Sequence, residues 1–514
     1  MKDDYRELRI ALIAFAVEPG NREAPPALEA IAQDIADSAL DCSSLVFANS
    51  RNMVEWQSQR LHQIAQERNM PYDPFLSHHG SLSKEVRETT ERALKSGRPA
   101  TVLATSSLEL GIDVGSVERV SQIDPPWTVS SLKQRMGRCG RRDGDPSVLR
   151  QFTIDSLPIR EATLTILLYP TLLRGHALID LLLEGILEPA GKTKLHLSTL
   201  VHQILSCVRQ WGAVSPERLY TILCEKGPFR NIDRDLFAKV LRSLKVWDLI
   251  GQDSEGAIVL GKEGESVTED YAFYAAFTST DDYTVRCNEN AIGLLPASEL
   301  PKWGQHIILN GRRWRVDAIR HREKTVEVTA AEAGAVPRFG GDLGDIHTIV
   351  FKRMQHLLKG AVIPGYLDPN AARMLQAARE TARGAGLTER GVLVSEGGVK
   401  WFPWVGTRAL RTLRLFARLE KLESDEDGLC LSYKSVSEDR FIAHLQRMVS
   451  GDVNPTELAA LMEQKKLQKF DKFLDEKLLD QANGNDRLDL ETAQEAAEQA
   501  LAELEKTAQN KGAV

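Results

Sequence analysis

The sequence has few cysteines and lacks any long apolar run. The six cysteines in 514 residues are Cys42, Cys139, Cys207, Cys224, Cys287 and Cys430. None forms a CxxC pair or a Cys/His run at metal-ligand spacing, which favours reduced thiols and predicts no disulfide framework and no metal site. Apolar stretches end well before the roughly 18 residues of a membrane span, and no apolar signal region follows Met1. We expect a soluble, cytoplasmic protein without membrane contact.

The chain also lacks a strong excess of either charge. Lys and Arg number 65 against 72 Asp and Glu, a net charge of −7. With 42% hydrophobic and 27% charged residues, this balance excludes a wholly disordered chain, collagen and a uniformly basic nucleic-acid coat. At about 150 residues per domain, the length predicts three or four domains.

Short apolar strands separated by helices fill the first third of the chain. They indicate an α/β fold with a parallel, doubly wound sheet, because parallel strands need helical crossovers. The predicted strands are Ser44–Ala48, Phe75–His79, Thr101–Thr105, Val117–Ile123 and Leu149–Ile154.

From about residue 197 the pattern changes. Three short helices, with Pro216 starting the second and Asp233 capping the third, precede a hairpin that turns at Asp253–Gly256, which is the order of a winged-helix module. An all-β region follows, with an Asn310-Gly311 hairpin turn. The rest is mixed α and β, ending in an Ala/Glu/Gln-rich stretch after Thr492 that we expect to be a solvated helix or frayed tail.

The densest cluster of chemistry-bearing residues is Gln134-Arg-Met-Gly-Arg-Cys-Gly-Arg-Arg142. Its glycines, Gly137 among them, fit a backbone that turns or approaches another group closely. Arg138 and Arg141 are one helical turn apart, so both guanidinium groups can bind one anion, such as a transferring phosphoryl group. A solvated basic loop is the minority alternative.

A second cluster, Ala104-Thr-Ser-Ser-Leu-Glu-Leu-Gly-Ile-Asp113, directly follows the third predicted strand. Ligands of open α/β sheets bind at the carboxyl ends of strands. Thr105 and Ser106 suit backbone phosphates, and Gly111 and Asp113 suit a nucleotide ribose. A capped helix and turn without a ligand explains the segment equally well.

Together these segments resemble a known family. Residues 44–51, His78-His-Gly-Ser81, residues 104–113 and residues 134–141 occur in the order of motifs IV, IVa, V and VI of superfamily 2 helicases. The form Thr-Ser-Ser-Leu-Glu-Leu-Gly-Ile-Asp is similar to motif V of the Lhr (large helicase-related) family. The resemblance continues through the winged helix, Gly311-Arg-Arg-Trp-Arg-Val316, Val336-Pro-Arg-Phe-Gly340 and Phe402-Pro-Trp-Val-Gly-Thr-Arg408.

The resemblance implies a fold of four segments. Residues 1–165 would be the second RecA-like (P-loop NTPase type) helicase domain, and residues 166–265 a linker and winged helix. Residues 266–350 would form an Lhr-type β-barrel, and residues 351–514 an α+β C-terminal region with a charged helical tail.

The resemblance also implies site residues. Gln134, Arg138 and Arg141 would face ATP, the two arginines as arginine fingers, with Gly111, Asp113 and Gly137 at the nucleotide. The residues expected to contact nucleic acid are Ser50, Arg51, His79, Gly80, Thr105, Ser106, Arg242, Arg313 and Trp314.

Three of these assignments have an alternative in which the residue has a structural role. Trp314 in a strand is at least as well explained as a core residue with solvent-facing arginines opposite. The helix that carries Arg242 packs on a neighbouring domain in many winged helices. For His78 and His79, a structural role or a contact with phosphate is a better explanation than a metal site.

The expected function is the C-terminal part of an Lhr-like, ATP-dependent DNA helicase that moves 3′ to 5′ in DNA repair. ATP with Mg²⁺ is the expected cofactor, and single-stranded DNA or an RNA–DNA hybrid is the expected partner.

Two motifs of a complete helicase motor are missing from the sequence. Its only GK[ST] sequence is Gly191-Lys-Thr193, and Ile186 stands where a GxxxxGK[ST] loop has its first glycine, so the phosphate-binding loop is absent. There is also no DExH box. We therefore expect ATP hydrolysis to need a first RecA-like domain, supplied with the Mg²⁺ ligands by a separate chain. The alternative is a non-catalytic nucleic-acid-binding relic or a truncated helicase fragment.

Overall fold

The fold is described from a computed structural model of the chain. It covers residues 7–18, 25–110, 117–140, 146–158, 162–191, 194–276, 282–288, 290–297, 300–331 and 344–512. These residues form two compact units, one within 1–188 and 281–390 and the other within 189–280 and 391–514.

The first unit is built on a six-stranded parallel sheet with the strand order β1-β6-β5-β2-β4-β3. Its strands are β1 (Leu8–Val17), β2 (Ser44–Ala48), β3 (Phe75–His78), β4 (Thr101–Ala104), β5 (Arg119–Ile123) and β6 (Ser147–Ser156). Strands β2 and β4 are buried at every position, as expected of parallel strands covered on both faces. The predicted doubly wound sheet is confirmed, although β1 is not among the predicted strands.

Helices connect and cover these strands. They are α1 (Pro25–Ala36), α2 (Arg51–Glu67), α3 (Lys84–Lys95), α4 (Val129–Met136), α5 (Leu164–Leu167) and α6 (Pro170–Leu183). Side-chain oxygens of Ser50, Ser83 and Thr128 cap α2, α3 and α4, which fixes where each helix leaves the strand before it.

A five-stranded sheet with the order β10-β9-β13-β12-β11 completes the all-β region. Its strands are β9 (Asp282–Cys287), β10 (Asn290–Pro296), β11 (His306–Leu309), β12 (Arg312–Arg320) and β13 (Thr325–Ala330). The predicted hairpin turn is confirmed, since Asn310 and Gly311 have φ values of 55° and 66°. A Cβ on Gly293 in β10 would lie 2.8 Å from Leu309 Cδ2 in β11, so the sheet is rolled and its edges approach each other. We call it the rolled sheet; closure into a barrel stays a prediction.

The chain then returns to the parallel sheet through α11 (Thr348–Lys359) and α12 (Pro369–Gly384). Leu12 in edge strand β1 donates to the Tyr366 carbonyl and accepts from the Asp368 amide, at 2.8 and 2.9 Å. The segment before α12 therefore covers the exposed edge of β1, which would otherwise be open to pairing with another strand.

The second unit contains the helices and hairpin of the predicted winged helix. They are α7 (Leu197–Trp211), α8 (Pro216–Tyr220) with a following π-helical turn (Thr221–Glu225), α9 (Arg234–Val246), β7 (Ile250–Gln252), β8 (Ile258–Leu260) and α10 (Lys262–Glu269). Asp233 caps α9 through a 2.8 Å bond from the Leu236 amide, as predicted. The order of elements matches the prediction.

The same unit holds a four-stranded antiparallel sheet with the order β14-β15-β17-β16 and several helices. The elements are β14 (Val392–Ser395), β15 (Gly398–Trp401), α13 (Thr407–Leu419), β16 (Ser424–Glu426), β17 (Leu431–Lys434), α14 (Glu438–Val449), α15 (Pro455–Ala460), α16 (Glu476–Arg487) and α17 (Leu490–Gly512).

The C-terminal helix α17 differs from its prediction. Its alanine-rich face is buried in one apolar cluster with the residues of α13 and α14, and Ala493 and Ala497 are fully inaccessible. The expected helix is confirmed. The expectation that it is solvated or frayed is wrong for its alanine face, because small alanines let this helix pack closely against its neighbours. None of the described helices is long and apolar enough to cross a membrane.

Candidate nucleotide and nucleic-acid site

The predicted nucleic-acid residues of the first unit follow the carboxyl ends of three strands. Ser50 and Arg51 come after β2, Gly80 after β3, and Thr105 and Ser106 after β4. Because these strands are parallel neighbours, the loops lie at one edge of the sheet. The structure thus brings five of the predicted residues together.

These five residues differ in their exposure to solvent. Gly80 and Ser106 are exposed, and Ser50, Arg51 and Thr105 are half-buried. The Arg51 guanidinium donates to the Ser81 hydroxyl, which holds the side chain across the loop after β3. An added Cβ on Gly80 would meet nothing within 4 Å, so a ligand backbone has room there.

His79, at the same edge, points inward. Its side chain is 1% exposed, and Nε2 lies 2.6 Å from Glu55 Oε1 on α2. The Glu55 carboxylate also accepts the backbone amides of Asn310 and Gly311 in the rolled sheet. This position corrects the expectation of a nucleic-acid contact, because the imidazole is enclosed between α2 and the rolled sheet.

The neighbouring His78 is also internal. Its Nδ1 lies 2.9 Å from the Ser107 hydroxyl, and its Nε2 lies 3.2 Å from Glu91. Burial lowers the pKa of His78, so the neutral ring is favoured. His78 therefore links the end of β3 to the short 3-10 helix Ser106–Leu108.

Trp314 is a core residue. It is 7% exposed, packs in the apolar cluster of the rolled sheet, and donates from Nε1 to the Leu309 carbonyl at 2.9 Å. The core alternative is therefore correct, and the expected base contact by Trp314 is not. Arg313 is half-buried, with Nη2 3.5 Å from Gln59 Oε1 on α2, whereas Arg242 on α9 in the second unit is exposed.

The arginine-rich segment begins in α4 and continues past its end. Gln134 is exposed near the end of the helix, and Gly137 caps it with φ −62°, a conformation open to any residue. Gly140, in contrast, has φ +66°, and a Cβ there would approach the Ser147 backbone at 3.3 Å. Only the second glycine is required by the backbone. The predicted residues Gly111, Asp113 and Arg141 lie outside the described residues, as does Lys192 of the Gly-Lys-Thr sequence.

Arg138 is anchored to the segment that follows β4. Its Nη2 and Nε donate to the Glu109 backbone carbonyl at 2.7 and 3.2 Å. The Glu109 carboxylate in turn accepts Nε and Nη2 of Arg135, both at 3.0 Å. Glu109 therefore holds two arginines of the arginine-rich segment against the segment that follows β4.

Glu55, Glu109 and Arg135 are not among the predicted site residues. Arg135 lies inside the cluster but is buried, and this burial lowers its pKa although Glu109 opposes the effect. Arg135 follows Val129 and Leu132 at intervals of three residues, and this spacing on one helix face is the signal that could have marked it as internal. Glu55 carries no comparable signal, because its partners are about 255 positions away in sequence.

Within the described residues, no group of three or more His, Cys, Asp or Glu side chains is arranged to hold a metal ion. Near the end of α4, Arg135 and Arg138 are buried and donate to Glu109, whereas Gln134 is exposed. Guanidinium and amide groups are donors that suit phosphate oxygens rather than Mg²⁺.

Comparison with known proteins identifies the domain that carries these loops. The helicase conserved C-terminal domain matches residues 27–143, which include the loops after β2, β3 and β4 and the whole of the arginine-rich segment. The first unit thus contains a RecA-like helicase C-terminal domain.

Relatives define the family more narrowly. The Lhr helicase/probable uracil glycosylase of Mycolicibacterium smegmatis is 41% identical over 133 residues, covering 20% of this chain and 9% of that protein. The ATP-dependent helicase Lhr-Core of Sulfolobus acidocaldarius is 29% identical over 203 residues, covering 39% of this chain and 22% of that protein. The chain is therefore a relative of the Lhr-type helicases, as its motifs predict, and spans less than a quarter of the length of these two proteins.

A solved structure supports the fold. The structure of M. smegmatis helicase Lhr bound to ssDNA and AMP-PNP matches with a TM-score of 0.61 at 18% identity, covering 97% of this chain and 68% of that one. At this identity the likeness concerns the fold.

Proposed function

We propose that this chain provides the C-terminal part of an Lhr-type DNA helicase: the second RecA-like domain and the modules that guide nucleic acid. The observation that carries the proposal is the contact of Arg138 with Glu109, because it joins the arginine-rich segment to the loop after β4 at the carboxyl edge of the sheet. This edge is where ligands of open α/β sheets bind.

In this proposal ATP with Mg²⁺ binds between the carboxyl edge and a first RecA-like domain, and supplies the phosphoryl group whose transfer drives movement. Gln134, Arg138 and Arg141 bind its phosphates, the two arginines as arginine fingers that stabilise negative charge. Gly111, Asp113 and Gly137 lie at the nucleotide. The guanidinium and amide donors fit phosphate, and the Mg²⁺ ligands come from the first RecA-like domain.

The nucleic-acid partner follows from the same arrangement. Ser50, Arg51, Gly80, Thr105 and Ser106 contact the backbone of one DNA strand at the edge of the sheet. Arg313 of the rolled sheet, which we assign to a β-barrel, and Arg242 of the winged helix continue this contact. The order of three helices and a hairpin in the second unit supports the winged-helix assignment. Translocation runs 3′ to 5′, and the cellular role is DNA repair in the cytoplasm.

ATP hydrolysis requires more than these 514 residues. They contain no GxxxxGK[ST] loop to cradle phosphates and no DExH box to hold Mg²⁺. We therefore propose that a first RecA-like domain from outside this sequence completes the site. Without it the chain binds nucleic acid but does not turn over ATP.

A reconstitution experiment tests the proposal. The chain is mixed with the first RecA-like domain of an Lhr helicase, and single-strand-stimulated ATP hydrolysis is measured. Wild-type chain should restore turnover, and Arg138→Ala should lower kcat about a thousandfold. Arg92→Ala, which removes an exposed arginine on α3, should leave kcat unchanged. Robust turnover by the chain alone, or full activity of Arg138→Ala, would contradict the proposal.

A further inference from the structure

The C-terminal end of α9 in the second unit combines exposed cations with an exposed ring. Arg242 and Lys245 are both exposed and one turn apart, and Trp247, which follows the helix, is 49% exposed. A tryptophan beside two cations on the surface presents a flat apolar face together with positive charge. Such a face suits an anionic ligand that carries rings of its own.

Two further exposed rings belong to the 3-10 helix Tyr271–Tyr274. Tyr271 and Tyr274 are 88% and 83% exposed, with ring centroids 6.1 Å apart. Phe273 between them is buried against His202, at 4.7 Å between ring centroids. Lys469 Nζ also donates to the Ala275 carbonyl at 2.7 Å. The short helix is therefore held firmly while its two phenol rings face outward.

A row of buried phenylalanines connects the tyrosines to α9. Phe273 contacts Phe470 at 6.2 Å, Phe470 contacts Phe473 at 6.3 Å, and Phe473 contacts Trp247 at 6.0 Å between ring centroids. The Lys472 ammonium lies 4.8 Å above the Phe473 ring and is exposed. The 3-10 helix that carries the two tyrosines and the end of α9 are thus joined by one packed row of rings.

The cations near Trp247 differ from those at the start of α9. There Arg234 pairs with Glu217 and Glu225, and Lys239 pairs with Asp235. Among the residues that the structure describes, no ion pair engages Arg242, Lys245 or Lys472. Positive charge is consequently left available where the exposed rings are.

We infer that these residues form a stacking surface for single-stranded nucleic acid, which we call the aromatic–cation surface. It consists of Arg242, Lys245, Trp247, Tyr271, Tyr274 and Lys472. Unpaired bases stack on the three rings, and the three cations bind the phosphates between them. A duplex fits less well, because its bases are already stacked on one another. The inference rests on the proposed function and extends it from the single contact of Arg242 to base stacking on the rings of the second unit.

Equilibrium binding of a fluorescent oligodeoxythymidylate to the full chain tests the inference. The double variant Tyr271→Ala/Tyr274→Ala should raise Kd about thirtyfold or more, because each of the two lost base stacks contributes roughly 1–3 kcal/mol. Tyr271→Phe/Tyr274→Phe keeps both rings and should bind within about twofold of wild type. An abasic oligonucleotide of the same length should bind wild type and the alanine variant equally, since it offers phosphates but no bases.

The salt dependence of oligonucleotide binding tests whether the cations bind phosphates. Arg242→Gln/Lys245→Gln should weaken binding of both oligonucleotides and reduce the slope of log K against log salt by about 1.4, at about 0.7 per phosphate contact on a single strand. An unchanged slope would show that Arg242 and Lys245 do not bind phosphates, and would overturn that part of the inference.

The possible failures are distinguishable. If wild type binds the oligonucleotide and the alanine variant binds as tightly, the aromatic–cation surface is not a stacking site, while the proposed function stands. If polyglutamate competes as well as oligodeoxythymidylate, the surface recognises an acidic protein and the inference is wrong. If the wild-type chain binds no single strand, both the inference and the nucleic-acid part of the proposed function fail.

Discussion

The carboxylate of Glu55 accepts the backbone amide of Gly311 at 2.6 Å, and thereby joins α2 of the RecA-like domain to the hairpin turn of the rolled sheet. Its other oxygen accepts the Asn310 amide at 2.7 Å and lies 2.6 Å from His79 Nε2. Gly311 has no space for a Cβ, which would approach the His62 ring at 2.6 Å. A second link is the 2.6 Å bond from the Leu294 amide to the Ser81 carbonyl. Helix α2, the loop after β3 and the rolled sheet therefore form one body within the first unit.

Replacement of Glu55 should destabilise this body. Glu55→Ala leaves the two turn amides and the His79 ring without their acceptor in a buried place, and we expect the free energy of unfolding to fall by about 3 kcal/mol or more. Glu55→Gln keeps one acceptor oxygen and should cost about half as much. Denaturant unfolding of the chain measures both.

The matched control is Glu88→Gln on α3, where the carboxylate is exposed and its ion pair with Lys84 is 3.7 Å long. This variant should change the free energy of unfolding by less than about 0.5 kcal/mol. Equal effects at Glu55 and Glu88 would show that the link between α2 and the turn contributes nothing.

How far the sequence predicts this fold depends on the distance between interacting residues. Strand β2, the cap Asp233 and the turn Asn310-Gly311 are predicted correctly, because each depends on neighbours within a few positions. The orientation of His79 depends on Glu55, which only the fold brings next to it, so its predicted contact with nucleic acid fails. For Trp314, in contrast, the alternation along the strand already offered the core position that the structure shows. The buried face of α17 is not predicted from the sequence for another reason. Alanine is common both in solvated helices and in closely packed ones, so it does not distinguish them.

The two glycines of the arginine-rich segment should respond oppositely to alanine. Gly140→Ala places a side chain at φ +66° and within 3.3 Å of the Ser147 backbone, so we expect a loss of about 2 kcal/mol in the free energy of unfolding. Gly137→Ala has a helical φ of −62° and ordinary contacts of 3.4 and 3.5 Å to backbone oxygens of α4. It should be neutral or stabilise by up to about 1 kcal/mol. Thermal unfolding of the two variants side by side decides the matter, and equal losses would contradict this account.

Acid should destabilise the chain through His176 on α6. Burial lowers the pKa of this imidazole to about 4 in the folded state, against an ordinary value of 6.5. The unfolded chain therefore takes up a proton at higher pH than the folded chain. The stability that His176 contributes is complete above about pH 6.5 and is lost as the pH falls towards 4, in total about 3 kcal/mol.

The measurement is the free energy of unfolding between pH 7 and 4.5 for wild type and His176→Gln. The variant should lose stability less steeply than wild type over this interval, because glutamine does not titrate. His356→Gln, which removes an exposed imidazole from α11, serves as the control and should follow the wild-type curve. Parallel curves for wild type and His176→Gln would show that the buried ring does not contribute to the pH dependence.

A charge placed on the two faces of α17 distinguishes a packed helix from a solvated one. Ala497 is fully buried among the residues of α13 and α14, and Gln499, two positions later, is exposed. Ala497→Glu would bury a carboxylate with no partner and should lower the free energy of unfolding by more than about 3 kcal/mol, or prevent folding of the second unit. Gln499→Glu adds the same charge to the same helix and should change stability by less than about 0.5 kcal/mol. Because helix propensity and net charge change almost equally in the two variants, a large difference in their denaturant midpoints can arise only from the packing of the alanine face.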